Sequence, residues 1–391
     1  MLEILRCPAC RNELELKIYE ANQDEISAGL LSCACGEKFP IHRGVPRMLI
    51  SARHGIIPDF LSEHEEALRI DAPEFFARKN RWSADAFSFS AQWENYEYGD
   101  QTWEMNVSDR VNIFYRYLKM QPAALQNSLV LDAGCGNGTL SAAVAASGPR
   151  IVAMDFSNSV ERAHQQRAVF AKDKAHRVHY VQADIQQPPF AGETFDVIYS
   201  DGVLHHTPDT KKSFRALVPL VKKSGRFFLW LYRRDLSLYF RIKASAILAI
   251  RTAMRRLPRK IILSLCYAGA AILLTLLRLQ LLLGFKSKRK IIPLSLKATN
   301  LMDTFTPQFK HEHTPGEVKT WFNEQGFTLA EETTVYEFSL GDFGFGMLGI
   351  YEICQSFIPG LASFALIFAM IGGILNLIWY GLIAQRFFKL T

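Results

Sequence analysis

Between Leu236 and Met302 the chain contains no aspartate or glutamate, although thirteen lysines and arginines fall there. The formal net charge of +7 on 391 residues is therefore a local property, and the rest of the chain is net acidic. A basicity confined to one stretch excludes a uniformly basic nucleic-acid-binding surface, and no nucleic-acid partner is expected. A second stretch, Phe357 to Ala384, lacks charge of either sign. Met1–Cys10 has no apolar run of the length a secretory leader needs, so none is expected. Cysteine is scarce, with seven in all, and four of them stand in two short pairs. In a reducing cytosol such pairs are metal ligands more often than disulfides.

The most informative segment that is present runs Leu129–Val130–Leu131–Asp132–Ala133–Gly134–Cys135–Gly136–Asn137–Gly138. It is an apolar strand ending in an acid and a Gly-x-Gly-x-Gly turn, followed by a helix-compatible stretch from Thr139 to Ala146. Residues without a β-carbon belong where backbone must pass close to a ligand. The spacing differs from the Gly-x-Gly-x-x-Gly dinucleotide fingerprint. Further strands follow in order. Ile151–Asp155 ends in a carboxylate placed for ribose hydroxyls, Val178–Ile185 contains Asp184, and Phe195–Ser200 leads into Asp201–Gly202–Val203–Leu204–His205–His206. A helix over Ser213–Val221 and a Lys–Ser–Gly turn precede a strand at Gly225–Leu231. Strands alternating with helices make a parallel, doubly wound sheet.

This succession resembles the class I S-adenosylmethionine-dependent methyltransferases of the type 11 kind. The resemblance covers Asp132 to about Leu231 well and Asp303 to Tyr351 less well. It implies an α/β, Rossmann-like, seven-stranded sheet with S-adenosylmethionine as cofactor. The cofactor-binding positions it implies are Asp132, Gly134, Gly136, Gly138, Asp155, Phe156, Asp184, Ile185 and Ser200, with Asp184 and Ile185 covering the adenine edge. The acceptor would meet the methyl group at Ser200–Asp201–Gly202–Val203. Planar-nitrogen methyltransferases often carry Asn/Asp-Pro-Pro-Tyr/Phe there, so an adenine or glutamine-amide acceptor is not expected. An alcohol acceptor benefits from a general base, and histidine suits that near neutral pH. Asp201, His205 and His206 are the catalytic candidates, and His311 and His313 in the returning segment are further candidates for the base.

Cys7–Pro8–Ala9–Cys10 and Cys33–Ala34–Cys35–Gly36 flank a strand-like Glu13–Tyr19. Four thiolates suit one tetrahedral zinc ion and leave no open position for catalysis, which makes the expected role structural. With Phe39–Pro40–Ile41 and Gly44–Leu49 after it, this segment resembles the small zinc-ribbon activators of tRNA and protein methyltransferases. The second pair departs from that pattern, being Cys-x-Cys rather than Cys-x-x-Cys.

The domain plan that follows is a ribbon at 1–50, a linker and cofactor lid at 51–107, and a methyltransferase core at 108–235. A basic helical insert at 236–298, the last helix and strands at 299–355 and a C-terminal membrane anchor at 356–391 complete it. Phe87–Tyr96 supplies the aromatics of the lid. In the insert, Phe240, Ile247, Ile250, Met254 and Leu257 form one stripe and Arg251, Arg255 and Arg259 another, the pattern of a helix lying at an anionic membrane surface. Ile261–Phe285 is nearly all apolar and Lys286–Lys290 closes it; it is expected to dip into one leaflet and return. Phe357–Ala384 is long enough to span. The expected enzyme works on the cytoplasmic face of a bacterial inner membrane and O-methylates a lipid or lipid-linked glycan. The competing readings are a tRNA or protein methyltransferase and a non-catalytic, membrane-tethered scaffold.

Overall fold

A computed structural model gives the fold. It describes all residues except 23–24, 51–56, 78–100, 103–104, 235–247, 249–250, 255–256, 283–290 and 329–391. The chain divides into two units, Met1–Ala270 with Ile292–Glu331, and Ala271–Ile291 with Glu332–Thr391.

The first unit opens with an antiparallel sheet of β1 (Glu15–Asn22), β2 (Glu25–Ser32), β3 (Lys38–His42) and β4 (Val45–Pro46) in that spatial order. Three short helices follow, α1 (Pro58–Glu63), α2 (Glu65–Asp71) and α3 (Glu74–Ala77). Their Phe60, Leu68 and Phe75 pack on Ala28 and Leu30 of β2, so this part of the expected lid belongs to the ribbon. Phe87–Tyr96 lies outside the described residues. A two-residue hairpin, β5 (Gln101–Thr102) with β6 (Met105–Asn106), leads into α4 (Val107–Leu118). The Asn106 side chain caps α4 by accepting from the Asp109 amide at 2.7 Å, satisfying one amide that a helix start leaves unpaired.

The strands of the central sheet alternate with helices except between β9 and β10. In chain order it comprises β7 (Leu129–Ala133), α5 (Thr139–Ala146), β8 (Arg150–Asp155), α6 (Ser159–Ala171), β9 (Val178–Gln182), β10 (Phe195–Asp201), α7 (Thr210–Leu217) and β11 (Val221–Trp230). The five strands are parallel in the order β11-β10-β7-β8-β9. Strands β7, β8 and β9 are mostly apolar and buried, as strands of a parallel sheet covered on both faces are, whereas β11 carries Lys222, Lys223 and Arg226 and is more exposed. The chain order reverses between β7 and β10, and ligands bind such sheets outside the strand C-termini at that reversal. The helix expected over Ser213–Val221 ends at Leu217, and β11 starts at Val221. Its register with β10 shifts between Phe195 and Val197. The sixth and seventh strands expected before Tyr351 lie outside the described residues. The described part of 299–355 holds helices α9 (Leu294–Phe305) and α10 (Pro315–Glu324), joined by an irregular segment in which His313 bridges Arg233 in parallel.

The ribbon and the sheet share one apolar core. Leu5, Cys7, Phe39, Ile41 and Met48 are buried with Leu131, Val152, Val181, Phe195 and Ile198. The ribbon's last strand runs onto the β9 edge, where the Met48 amide donates to the Gln182 carbonyl at 2.7 Å. Arg47 is 3% exposed and donates to Glu161 at 2.6 Å and to the Gln182 side chain at 3.3 Å. An edge strand that would otherwise offer unpaired amides is thereby covered.

The insert includes a 24-residue helix, α8 (Arg259–Leu282), continuous over about 36 Å at 1.5 Å per residue. Cys266, Ala270, Leu274 and Leu277 form its buried stripe, whereas Ile261, Leu265, Ile272, Leu276 and Leu282 are exposed. Lys260–Leu279 is long and apolar enough to cross a membrane by length and composition. The expected dip and return over 261–285 needs a turn within that stretch, and the helix has none through Leu282. Most of the 240–257 stripe falls outside the described residues. Arg251, expected to face lipid head groups, is instead 6% exposed, and its guanidinium donates to the Pro307 carbonyl. The apolar stretch 357–384 lies outside the described residues.

Candidate functional site

The glycine loop leaves β7 at the point where the sheet order reverses. Gly134, Gly136 and Gly138 all have positive φ, at 96°, 57° and 70°, backbone that side chains with a β-carbon rarely adopt. A β-carbon at Gly138 would lie 2.6 Å from Ala163 and from the Tyr180 ring, so this glycine also lets α5 approach α6. The amides of the loop are already spent within the protein. Those of Gly134 and Cys135 donate to the Met154 carbonyl at 2.7 and 3.0 Å, and that of Gly138 to the Cys135 carbonyl at 3.0 Å. The Gly136 amide donates to Asp155 Oδ2 at 2.9 Å. A phosphate cradle needs such amides pointing outward, and these four are engaged inward.

What gathers there instead is negative charge. Asp132 ends β7, 7% exposed, and its Oδ2 accepts from the Ser141 hydroxyl at 2.5 Å. Burial pushes its carboxyl up to about 6, opposed by the Ser141 hydrogen bond and by the facing Arg110 charge. Asp155 ends β8, and its Oδ1 accepts from the Ser157 amide and hydroxyl at 2.9 and 2.7 Å. Burial raises it too, against those hydrogen bonds. Asp201 ends β10 and accepts from the Tyr199 hydroxyl at 3.0 Å; burial raises it as well. Three carboxylates at one end of a sheet suit a cationic ligand and oppose a pyrophosphate. This donor set fits S-adenosylmethionine, whose sulfonium and ammonium groups are both cationic.

The other expected cofactor positions have the following local contacts. The Ser200 hydroxyl donates to the Ala133 carbonyl at 2.8 Å, tying β10 to β7. The Phe156 carbonyl accepts from the Gln182 side-chain amide at 3.1 Å. Asp184 accepts from the Gln186 amide at 2.8 Å, and Ile185 is 6% exposed within the shared core. The sequence reading missed Ser141, Ser157 and Gln182. Ser157 lies on the turn after Asp155 and Ser141 in the first turn of α5, nine residues after Asp132, while Gln182 gave no local signal.

Among the catalytic candidates, His205 is fully buried, and neither ring nitrogen has a hydrogen-bond partner among the described residues. Its ring packs against His206, Trp230 and Tyr232 at centroid distances of 4.2, 5.7 and 4.1 Å. Burial, then the facing His206, Lys310, His313 and His311, hold it neutral, well below the usual histidine range. His206 and His311 join two loops. The His206 Nδ1 donates to the Phe309 carbonyl at 2.9 Å, the His311 Nε2 to the Thr207 carbonyl at 3.1 Å, and the His311 amide to the His205 carbonyl at 2.9 Å. His313 Nδ1 donates to Glu317 Oε1 at 3.1 Å.

In the ribbon, Cys7 Sγ lies 3.7 Å from Cys35 Sγ and Cys10 Sγ 3.4 Å from Cys33 Sγ. All four sulfurs lie within 4.8 Å of one another. Tetrahedral zinc with bonds of about 2.3 Å sets its sulfurs about 3.8 Å apart, so the four residues could hold the ion despite the short Cys-x-Cys spacing.

Comparison with known proteins agrees with this geometry. Residues 131–229 match the methyltransferase domain family. Residues 1–44 match the Trm112p-like proteins. An uncharacterized methyltransferase of Mycobacterium tuberculosis is 32% identical over 126 residues, which are 32% of this chain and 58% of that protein. A ubiquinone biosynthesis O-methyltransferase of Aromatoleum aromaticum is 31% identical over 140 residues, 35% of this chain and 56% of its own. The chain thus spans just over half the length of the curated relatives it matches. A solved structure, the magnesium protoporphyrin IX methyltransferase of Synechocystis with bound SAH, aligns over 72% of this chain and 94% of its own at 15% identity and a TM-score of 0.36.

Proposed function

We propose that this chain is an S-adenosylmethionine-dependent methyltransferase that works at the cytoplasmic face of a bacterial membrane and forms an O-methyl product on a lipid or lipid-linked glycan. The observation that carries the activity is the reversal point of the sheet, where every loop amide named above is spent internally and Asp132, Asp155 and Asp201 converge. When bound there, the cofactor supplies an activated methyl group. Asp155 would hold the ribose, Asp132 and Asp201 would balance the donor's positive charge, and Ser200 would keep the β7 and β10 ends together. Much of the acceleration in such a transfer comes from holding the two reactants in line.

Membrane placement is supported by α8, whose exposed face is apolar, and by the thirteen cations without an acid over 236–302. A similarity to an O-methyltransferase of ubiquinone biosynthesis agrees with an acceptor drawn from an apolar phase. The test is to feed tritiated methionine to cells producing the full chain and to fractionate the label. The reading predicts label in the solvent-extracted lipid, absent when Asp155 is replaced by alanine. Gene-dependent label confined to RNA or protein would contradict the acceptor class.

A further inference from the structure

The loop that follows β9 runs through Gln187–Pro188–Pro189–Phe190. Two adjacent prolines have no amide to donate, so their carbonyls are what a neighbour can hold. The ribbon holds three carbonyls here in succession. Arg11 Nη1 donates to that of Pro188, the Arg6 amide to that of Pro189 at 2.9 Å, and Arg11 Nη2 to that of Phe190 at 3.0 Å. The Ala191 amide returns a bond to the Ile4 carbonyl at 2.8 Å. Arg11 is an exposed residue, so packing does not account for where its guanidinium sits. It stands directly after Cys10 with a positive φ of 67°, and its amide donates to the Cys7 carbonyl at 2.8 Å. The cysteine turn thus aims a planar fork at two carbonyls two residues apart.

At the other end of the same loop the ribbon takes hold again. The Met48 amide donates to the Gln182 carbonyl, and Arg47 to the Gln182 side-chain oxygen. Gln182 passes this grip on, donating from Nε2 to the Phe156 carbonyl at 3.1 Å and to Asn158 Oδ1 at 3.0 Å. The Ala183 amide donates to the Asp155 carbonyl at 2.9 Å. Between the two grips lies only Ala183–Gln187, which contains Asp184 and Ile185, the residues expected at the adenine edge. Within it the Gln186 amide donates to Asp184 Oδ1 at 2.8 Å and the Gln187 amide to the Asp184 carbonyl at 2.9 Å. A short span fixed at both ends keeps little backbone freedom, and slack at either end reaches Asp184.

We propose that Arg11 is a positioning residue of the cofactor site, fixing the far end of this span so that the Asp184 carboxylate meets the exocyclic amine of adenine. The proposal rests on the methyltransferase reading above. A carboxylate accepts from that amine, whereas hypoxanthine carries an oxygen in its place and would set two acceptors against each other. The site should therefore prefer adenine, and the preference should depend on Arg11. Arg11→Met leaves the Pro188 and Phe190 carbonyls without the guanidinium. Arg11→Lys offers one ammonium, which lacks the fixed fork that serves both.

The test is titration calorimetry of the full chain with S-adenosylhomocysteine and with S-inosylhomocysteine, in which oxygen replaces the adenine amine. Wild type should prefer the adenine ligand about tenfold or more, the value of one charge-assisted hydrogen bond. Arg11→Met should bring the ratio of affinities to about one, and Arg11→Lys should restore part of it. Lys17→Met, which breaks the ribbon's ion pair with Asp71 of α2, should keep the wild-type ratio. If Arg11→Met does not fold, Arg11→Lys carries the test through a ratio below that of wild type. An unchanged ratio in the Arg11 variants, or an equal weakening of both ligands, would overturn the positioning role, because a ribbon that only stabilises the fold does not choose between bases. The same loss of ratio in Lys17→Met, or no preference in wild type, would overturn it too. Wild-type protein that binds neither ligand would overturn the methyltransferase reading instead.

Discussion

The ribbon and helix α8 are both additions to one parallel sheet, and they treat their surfaces in opposite ways. The ribbon is too small to bury a core of its own. It borrows one, placing Cys7, Phe39 and Met48 among the sheet's own residues and sealing the seam with Arg47, Glu161 and Gln182. Helix α8 is large and apolar, yet it buries one stripe and leaves Ile261, Leu265, Ile272 and Leu276 exposed. A segment that spends its apolar surface within the chain serves the fold. One that keeps an apolar face outward calls for an apolar medium or partner.

That contrast can be broken most severely at the metal. Protein purified without chelators should contain about one equivalent of zinc. Cys10→Ser should lose it with a large drop in Tm, because structural zinc contributes on the order of 10 kcal/mol in small metal-folded domains. A metal-free protein of unchanged Tm would show that the borrowed core suffices. Next in size is the seam. Arg47→Met leaves the partly buried Glu161 with Arg43 as its remaining ion-pair partner, and should cost about 3–5 kcal/mol in urea unfolding. A cost near zero would mean that the apolar contacts alone dock the ribbon.

A smaller effect concerns pH at the cofactor site. Asp132 has its carboxyl raised to about 6, so it is ionised above that pH and takes up a proton below it. A cationic ligand favours the ionised form. Affinity for S-adenosylmethionine should therefore be level above pH 6 and fall by at most about tenfold per unit below it. A flat profile from pH 7 to 5 would remove Asp132 from the site. The smallest effect concerns α8 and its flanks. A chain lacking 357–391 should still sediment with vesicles rich in anionic lipid and be released by salt, since each interfacial cation contributes about 1 kcal/mol. Binding indifferent to salt would leave the apolar face as the sole attachment.

The parts legible in the sequence are those whose signal is local. The strand–glycine–helix unit at 129–146 and the carboxylates at the strand ends needed only short-range patterns, and each lies where the parallel sheet requires. What was not legible depends on partners far along the chain. Arg47 meets Glu161 across 114 positions, and His206 meets the Phe309 carbonyl across 103. Arg251 sat on a plausible cationic stripe, but helical periodicity does not reveal that the Pro307 carbonyl would take its guanidinium inward. The Cys-x-Cys spacing looked too short for a regular zinc site, yet the sulfurs converge because β2 and β3 bring that turn beside Cys7 and Cys10.

The central claim is that the glycine loop and its three carboxylates receive a cationic methyl donor rather than a dinucleotide. Titration calorimetry of the full chain with S-adenosylmethionine and, separately, with NAD tests it most directly. The account predicts saturable binding of S-adenosylmethionine and none of NAD. It also predicts that Asp155→Ala weakens the former by roughly 1.5–3 kcal/mol, the value of one charge-assisted hydrogen bond. Binding of NAD in preference to S-adenosylmethionine, or an affinity indifferent to Asp155, would contradict it.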